Sequence, residues 1–295
     1  MYDNHGLTSA IPYVVFSVTT RCNLSCPGCF RIGHGQVDVQ FDKFRKCLDI
    51  LADASCRYLN ITGGEPTLHP HWRRLISVTE HVGIRPLLST NGTMLDSLEN
   101  PALQRLAVLS IPLDGASEAT NDKIRGEGHF THIQELIREY RRGSFPFVLK
   151  VNTMVAEENI DELHGVLRMI DAPGIVWKLF QFSPRGEFSS QRVTKLSPVS
   201  CRMFSLFVEQ IRCLPVTACR IASLGSADTG EYVLIDPEAR VLIPRHESYH
   251  VIGNLLSGDT TIAALIVKAS PNVFALPKSL AFLIDDRSKS ERVKN

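Results

Sequence analysis

Runs of consecutive apolar residues alternate along this chain with segments in which apolar residues recur every three or four positions. Uninterrupted apolar runs rich in β-branched residues predict buried strands, whereas the wider spacing predicts amphipathic helices. The predicted strands are residues 13–19, 58–62, 86–89, 108–113, 147–155 and 175–182. The predicted helices are residues 41–54, 71–82, 131–142, 160–170 and 198–211.

This alternation determines the expected fold class. Strands that alternate with helices form βαβ units, which build a parallel α/β sheet with right-handed crossovers. About six such repeats are fewer than the eight of a closed barrel, so we expect either a partial barrel or an open sheet. In both architectures, ligands bind at the carboxyl ends of the strands.

The alternation is predicted to stop near Leu214. Beyond it, residues 232–235 and 241–243 predict a small antiparallel hairpin, and residues 262–269 predict a short apolar helix. The charged residues 285–295 predict a frayed tail. The chain is therefore expected to have three parts, which are an N-terminal extension (1–12), a core (13–214) and a C-terminal region (215–295) that covers the substrate side.

The composition is that of a folded globular protein without an excess of either charge. Hydrophobic residues make up 44% and charged residues 21% of the 295 positions, which excludes a mostly disordered chain. The 32 Lys and Arg residues nearly balance the 31 Asp and Glu residues, so no nucleic-acid partner is expected. The sequence begins MYDNHGLTSA and contains neither a signal-peptide pattern nor a long apolar run. We therefore expect a cytoplasmic protein with no membrane partner.

Three of the eight cysteines lie in one short segment, at Cys22, Cys26 and Cys29. Thiols stay reduced in the cytoplasm, so this cluster favours a metal site over a disulfide scaffold. Soft thiolate ligands suit iron–sulfur clusters and zinc alike. Three thiolates can bind one face of an iron–sulfur cube and leave one iron open, whereas a structural zinc site would take His34 as its fourth ligand.

The cysteine segment CNLSCPGCF (22–30) resembles the signature of the radical S-adenosylmethionine (radical SAM) enzymes. The resemblance extends over roughly residues 13–185. Four later segments are similar to further motifs of that family, namely GGEP (63–66), TNG (90–92), IPLDG (111–115) and NDKIRG (121–126).

The resemblance implies a fold, two cofactors and a type of chemistry. The implied fold is a partial (β/α)6 barrel of the radical SAM type with a small C-terminal extension. A [4Fe-4S] cluster held by the three cysteines would bind S-adenosyl-L-methionine (SAM) at its open iron and reduce it. The resulting 5′-deoxyadenosyl radical would abstract hydrogen from the substrate. An external electron donor, such as flavodoxin or ferredoxin, is an implied partner.

The resemblance also implies cofactor-binding residues, each of which has an ordinary structural alternative. Phe30 would lie beside the adenine or in the core, Gly63 and Gly64 would approach the ligand or form a turn, and Glu65 would bind the SAM amino group or be solvated. Ser89 and Asn91 are candidates for the SAM carboxylate and ribose, and the remaining candidates are Arg125, Asn152 and Gln181. Arg185 is a candidate for binding an anionic group of the substrate.

The later cysteines argue for a single cluster. Cys201, Cys213 and Cys219 are separated by 12 and 6 positions, too far apart for a dense second set of ligands. A single cluster weakens the case that this chain is one of the peptide-modifying members of the family, which rely on auxiliary clusters.

Two segments, WKLFQ (177–181) and YVLID (232–236), show weaker local similarity to viperin-like members of the family, which modify nucleotides. The sequence SPRGE (183–187) departs from those members. We expect a small polar metabolite as substrate, such as a nucleoside, nucleotide or sugar derivative, in a lyase-type or oxidoreductase-type decarboxylation, dehydration or epimerisation. The alternatives are a viperin-like nucleotide triphosphate dehydratase, a peptide-modifying enzyme and a non-catalytic zinc-binding scaffold.

Overall fold

The computed structural model describes residues 11–29, 35–184, 196–214, 218–226, 232–245, 248–258 and 280. Its strands are β1 (Tyr13–Ser17), β2 (Tyr58–Thr62), β3 (Arg85–Ser89), β4 (Val108–Pro112), β5 (Val148–Val155), β6 (Ile175–Gln181), β7 (Arg220–Leu224), β8 (Val233–Ile235), β9 (Arg240–Arg245) and β10 (Ser248–Asn254). Its α-helices are α1 (Phe41–Asp53), α2 (Trp72–His81), α3 (Glu118–Arg125), α4 (His129–Arg142), α5 (Leu163–Ile170) and α6 (Cys201–Arg212).

The strands join one sheet in the order β10-β9-β8-β1-β2-β3-β4-β5-β6-β7. Strands β1 to β7 are parallel to their neighbours, and β8 is parallel to β1. Strands β9 and β10 continue the sheet beyond β8 in antiparallel fashion. The predicted α/β class with a parallel sheet is confirmed.

The two faces of the sheet have different partners. The outer face packs against the helices, so that Val14 and Phe16 of β1 share the main core with Phe44 of α1. The inner face forms a second cluster to which Tyr13 and Val15 of β1 contribute together with residues of the other strands. This division follows from the alternation of side chains along each strand.

The βα alternation extends further than the sequence pattern predicts. Helix α6 leads into β7, which pairs in parallel with β6, so the prediction that the alternation stops near Leu214 is wrong. Strand β7 (RIASL) has no continuous apolar run and is only partly buried, which explains why the pattern misses it. Helix α3 was missed for a similar reason, because it buries only Asn121 and Ile124.

The predicted hairpin is confirmed, since β8 and β9 pair in antiparallel fashion. Strand β8 also pairs with β1, so the hairpin extends the main sheet. Leu280 is buried in the inner cluster. The predicted helix 262–269 and the predicted tail 285–295 lie outside the described residues, and the division into three parts remains a prediction. Within the described ranges, every helix is too short or too polar to cross a bilayer.

Candidate functional site

The cysteine loop, which is the segment from Cys22 to Cys29, follows β1 at the carboxyl end of that strand. Cys22, Cys26 and Cys29 are free thiols, and each is partly exposed. Burial raises the pKa of Cys22, and the N–H of Leu24 offsets part of this effect. The charges of Glu65 and of the other two cysteines raise this pKa further. The three thiols and the Glu65 carboxylate therefore share one neighbourhood, in which negative charge accumulates when the thiols ionise.

Nitrogen donors border the cysteine loop on two sides. Arg125 Nη1 lies 3.8 Å from Cys26 Sγ, and Asn91 Nδ2 lies 4.0 Å from Cys22 Sγ. Among the described residues, no three His, Cys, Asp or Glu side chains are arranged to hold a single metal ion. Three soft thiolates bordered by nitrogen donors fit an iron–sulfur cluster, whose charge such donors stabilise. His34, the predicted fourth zinc ligand, lies outside the described residues.

The GGEP loop packs directly on the segment that leads into the cysteine loop. The N–H of Gly64 donates to the carbonyl of Thr19 at 2.7 Å, and the N–H of Glu65 donates to the carbonyl of Arg21 at 2.6 Å. A Cβ at Gly63 would lie 2.3 Å from Thr19 O, and a Cβ at Gly64 would lie 2.1 Å from Arg21 O. The two glycines are therefore required by contact between two backbones. Their predicted approach to SAM remains a prediction.

The Glu65 carboxylate connects this loop with the end of β3. It is fully buried and accepts hydrogen bonds from Thr67 N (3.0 Å), Thr67 Oγ1 (2.5 Å), Thr90 Oγ1 (2.6 Å) and Asn91 N (2.6 Å). Burial raises the pKa of Glu65, and these donors offset part of the shift. The carboxylate thus has a structural role in holding two loops together, and its predicted contact with the SAM amino group remains a prediction.

Two further candidates are Ser89, the last residue of β3, and Asn91, which lies in the loop after it, and their side chains have different partners. Asn91 Nδ2 donates to Asn23 Oδ1 at 2.8 Å, so this side chain lies against the cysteine loop. Ser89 Oγ donates to Asn60 Oδ1 at 2.9 Å on the inner face of the sheet. Their predicted roles toward the SAM carboxylate and ribose remain predictions.

Arg125 connects the cysteine loop to the end of β4. Its Nε donates to the fully buried Asp114 carboxylate, whose other oxygen accepts from Met154 N at 2.7 Å. Burial alone would lower the pKa of Arg125, but Asp114 and Cys26 outweigh it and raise this pKa. A permanent positive charge therefore lies beside Cys26. The sequence analysis included Asp114 only within the IPLDG segment (111–115) and assigned no role to it, and its position directly after an apolar run was the available signal.

His129 is a further residue that the sequence analysis missed. Its Nε2 lies 3.1 Å from the carbonyl of Asn91, and its Nδ1 lies 3.0 Å from Asn121 Nδ2. Burial and the charge of Arg125 lower the pKa of His129 to about 4. The neutral ring therefore accepts from the Asn121 amide and donates to Asn91, which fixes the loop after β3 beside Cys22.

The remaining candidates are dispersed. Gln181 Nε2 donates to Val199 O at 2.8 Å, and Gln181 Oε1 accepts from Ser226 N at 2.9 Å, so this side chain joins the end of β6 to later segments. Asn152 lies in β5 as the register partner of Lys178. Phe30 and Arg185 lie outside the described residues. All four roles remain predictions.

A family model described as the Radical SAM superfamily matches residues 16–170. The chain is 29% identical over 191 residues to the AdoMet-dependent heme synthase of Methanosarcina barkeri, covering 61% of this chain and 53% of that protein. It is 28% identical over 214 residues to the mycofactocin maturase MftC of Mycobacterium ulcerans, covering 69% of this chain and 55% of that protein. The chain thus spans about half the length of these curated relatives.

Two solved structures share the fold at low sequence identity. SuiB of Streptococcus suis bound to S-adenosylmethionine has a TM-score of 0.67 at 15% identity, over 93% of this chain and 68% of that one. The anSMEcpe structure with bound AdoMet has a TM-score of 0.66 at 13% identity, over 90% of this chain and 84% of that one. The predicted partial barrel is confirmed.

The family match runs from β1 to α5 and covers more than half of the 295 residues. It includes the cysteine loop, the GGEP loop and Arg125, the elements that the structure brings together. The local similarity to viperin-like members remains a prediction. This chain belongs to the radical SAM superfamily, and its cofactors are a [4Fe-4S] cluster and S-adenosylmethionine.

Proposed function

We propose that this chain is an enzyme that cleaves SAM reductively and removes a hydrogen atom from a small polar metabolite bound inside the partial barrel. The bound cluster would supply the electron for that cleavage. The supporting observation is that the cysteine loop, the GGEP loop and the ends of β3 and β4 meet at the mouth of the barrel, above an inner face that carries polar side chains.

Each residue at the mouth has a distinct task under this proposal. Cys22, Cys26 and Cys29 bind three irons of the cluster, and Arg125 stabilises the added negative charge beside Cys26. Glu65 and the neutral His129 hold the loop after β3 against the cysteine loop. These contacts hold the loops at the mouth in place relative to one another.

The curated relatives do not point to one substrate class, since one is named a heme synthase and another a mycofactocin maturase. We infer a nucleoside, nucleotide or sugar derivative that undergoes decarboxylation, dehydration or epimerisation. A peptide substrate is the second candidate, and it is favoured by the similarity to the mycofactocin maturase MftC. In either case we propose a cytoplasmic enzyme that receives its electron from flavodoxin or ferredoxin.

Anaerobic reconstitution tests the cofactor part of this proposal. Wild-type protein should bind about four irons per chain and release 5′-deoxyadenosine from SAM only when dithionite is present. Cys26→Ala should lose most of this iron and all SAM cleavage. Cys213→Ala, which removes an exposed thiol beyond α6, is the matched control and should retain both. Equal iron loss in the two variants would refute the assignment of the cysteine loop.

A deuterium-transfer screen tests the substrate part. Labelled nucleotides, sugar derivatives and short peptides are offered to the reconstituted enzyme, and deuterium is sought in 5′-deoxyadenosine by mass spectrometry. Transfer from a sugar carbon supports the metabolite, and transfer from a peptide alone supports the second candidate. If product forms with no transfer from any of them, hydrogen abstraction is the wrong mechanism.

A further inference from the structure

Two lysines lie in the middle of neighbouring strands on the inner face of the sheet. Lys150 is the third residue of β5, and Lys178 is the fourth residue of β6. Val148 and Val176, two positions earlier on each strand, pack in the inner cluster. Alternation along a strand puts each lysine on the same face as that valine. Lys150 is only 5% exposed, so its amine is buried inside the barrel.

Within the part of the chain that the structure describes, no carboxylate pairs with either of these two lysines. Strands β1 to β7 contain no Asp or Glu, and within the described residues neither amine has an ion-pair or hydrogen-bond partner. Burial, together with repulsion by Lys178, lowers the pKa of Lys150 to about 7. Burial lowers the pKa of Lys178 to about 8. Lys150 is therefore a buried lysine without a charged partner, which is rare because the desolvated charge is costly. Lys178 is partly exposed, and its Nζ lies 5.9 Å from the centroid of the Phe180 ring.

Uncharged polar groups on the same face complete the site. Ser110 is the register partner of Lys150, and its buried hydroxyl has no hydrogen-bond partner in the described part of the chain. Buried hydroxyls are almost always hydrogen-bonded, so this one points to a bound group. We call the set on this face the inner polar belt, which consists of Asn60, Ser89, Ser110, Lys150, Asn152 and Lys178.

We propose that the inner polar belt binds an oxyanion of the substrate, a carboxylate or a phosphate, between Lys150 and Lys178. The anion would supply the missing countercharge and accept a hydrogen bond from the unpartnered Ser110 hydroxyl. This inference rests on the proposed function, because it places the substrate inside the barrel. It narrows the substrate to metabolites that carry an anionic group.

The depth of Lys178 below the mouth of the barrel indicates how long that substrate is. Lys178 precedes the last residue of β6 by three positions, which is roughly 10 Å at the usual rise of a strand. An anion bound there anchors one end of the substrate below the mouth, where the cysteine loop lies. The rest of the molecule then extends toward the mouth, which suits a sugar acid or sugar phosphate rather than a small anion alone.

The test uses anion binding by the reconstituted enzyme with SAM, and it does not require turnover. Thermal stability is measured against inorganic phosphate, malonate and, at equal ionic strength, sodium chloride. Phosphate or malonate should raise the melting temperature of the wild type beyond chloride. Lys150→Met and Lys178→Met should each weaken that binding roughly tenfold or more. Lys46→Met removes an exposed lysine by the same substitution and should bind like the wild type.

The titrations with phosphate and with malonate identify the anion. Stabilisation by phosphate alone indicates a phosphorylated substrate, and stabilisation by malonate alone indicates a substrate with a carboxylate. Lys150→Met should fold, because an apolar side chain replaces a buried cation, and its melting temperature without anions should not fall. The inference is overturned if neither anion acts beyond chloride, or if both act equally on all four proteins. SAM cleavage that persists in those cases would leave the proposed function standing, whereas its absence from the wild type would refute that function separately.

Discussion

The Arg125 guanidinium has a partner on each of two sides at the site. It lies between the Asp114 carboxylate, which is fully buried, and the Cys26 sulfur. The buried Asp114 carboxylate needs this cation, because removal of either partner leaves the other uncompensated. Asp114 is therefore a positioning residue whose effect on the cysteine loop is transmitted through Arg125.

Asp114→Asn tests this dependence. The substitution keeps the shape of the side chain but removes the charge, so the free energy of unfolding should fall by about 3–5 kcal/mol in urea titrations. The control is Glu80→Gln, which neutralises the acid of the exposed pair with Arg105 and should cost less than about 1 kcal/mol. Similar losses in both variants would show that Asp114 is not a buried countercharge.

At this scale the sequence predicted the residues better than their partners. Arg125 and Glu65 were candidates from their motifs, and both lie at the cysteine loop. Their contacts with Asp114 and Thr90 were not predictable, because they depend on how α3 and the loop after β3 fold back. Lys150 and Lys178 were overlooked inside apolar runs, although a lysine in a buried strand is itself an unusual signal.

At the scale of elements, the position of the cysteine loop depends on the GGEP loop. The GGEP loop donates two backbone hydrogen bonds to the segment that leads into the cysteine loop. Gly63 has a φ of +154°, and a Cβ at this position would collide with the Thr19 carbonyl. Both features exclude a side chain at this position. The loops after β1 and β2 therefore form one unit, and a change in either should displace the cysteines.

Gly63→Ala should show this coupling when compared with Gly83→Ala. Gly83 also has a positive φ, of +82°, but its Cβ would meet open space, so strain alone should cost about 1 kcal/mol. Gly63→Ala adds a collision with backbone and should lose about 2 kcal/mol more in urea titrations. It should also bind less iron after reconstitution, whereas Gly83→Ala should bind as much as the wild type. Full iron binding by Gly63→Ala would show that the position of the cysteines does not depend on the GGEP loop.

The elements themselves were predictable where one face or one run is apolar. Strands β1 to β6 lie close to their predicted bounds, because each is a buried apolar run. Strand β7 and helix α3 were not predictable in this way, since tertiary pairing and Ser117, which caps α3 by accepting from Thr120 N, stabilise them instead.

For the whole molecule, the contrast between the two faces of the sheet is the feature with functional consequences. The outer face is an apolar core shared with the helices, whereas the inner face places the inner polar belt above an apolar floor that includes Leu280. Lys150, which is buried, and Lys178, which is partly exposed, are both desolvated on that face and lower stability whenever they are charged. A fold retains such a cost where the charges have a use.

This cost makes stability depend on pH. The pKa values of Lys150 and Lys178 are about 7 and about 8 in the folded chain, below the ordinary lysine value of 10.5. At a pH above these folded-state values and below 10.5, the two lysines are protonated in the unfolded chain and largely neutral in the folded chain. The unfolded chain then binds more protons than the folded chain, so the free energy of unfolding should rise with pH. Below pH 7 both states are protonated and the full cost is present. From pH 7 to 8.5 we expect a rise of about 2 kcal/mol, measured by anaerobic urea titration without substrate.

The double variant Lys150→Met, Lys178→Met isolates this contribution. It should be more stable than the wild type at pH 7, and the difference between the two proteins should shrink as the pH rises to 8.5. The range stops there because burial raises the pKa of Cys47, Cys56 and Cys219 to about 12, and their titration above pH 9 lowers stability instead. A constant difference between the two proteins would mean that the lysines are solvated in the folded chain. The inner face would then not be the desolvated site that binding of an oxyanion requires.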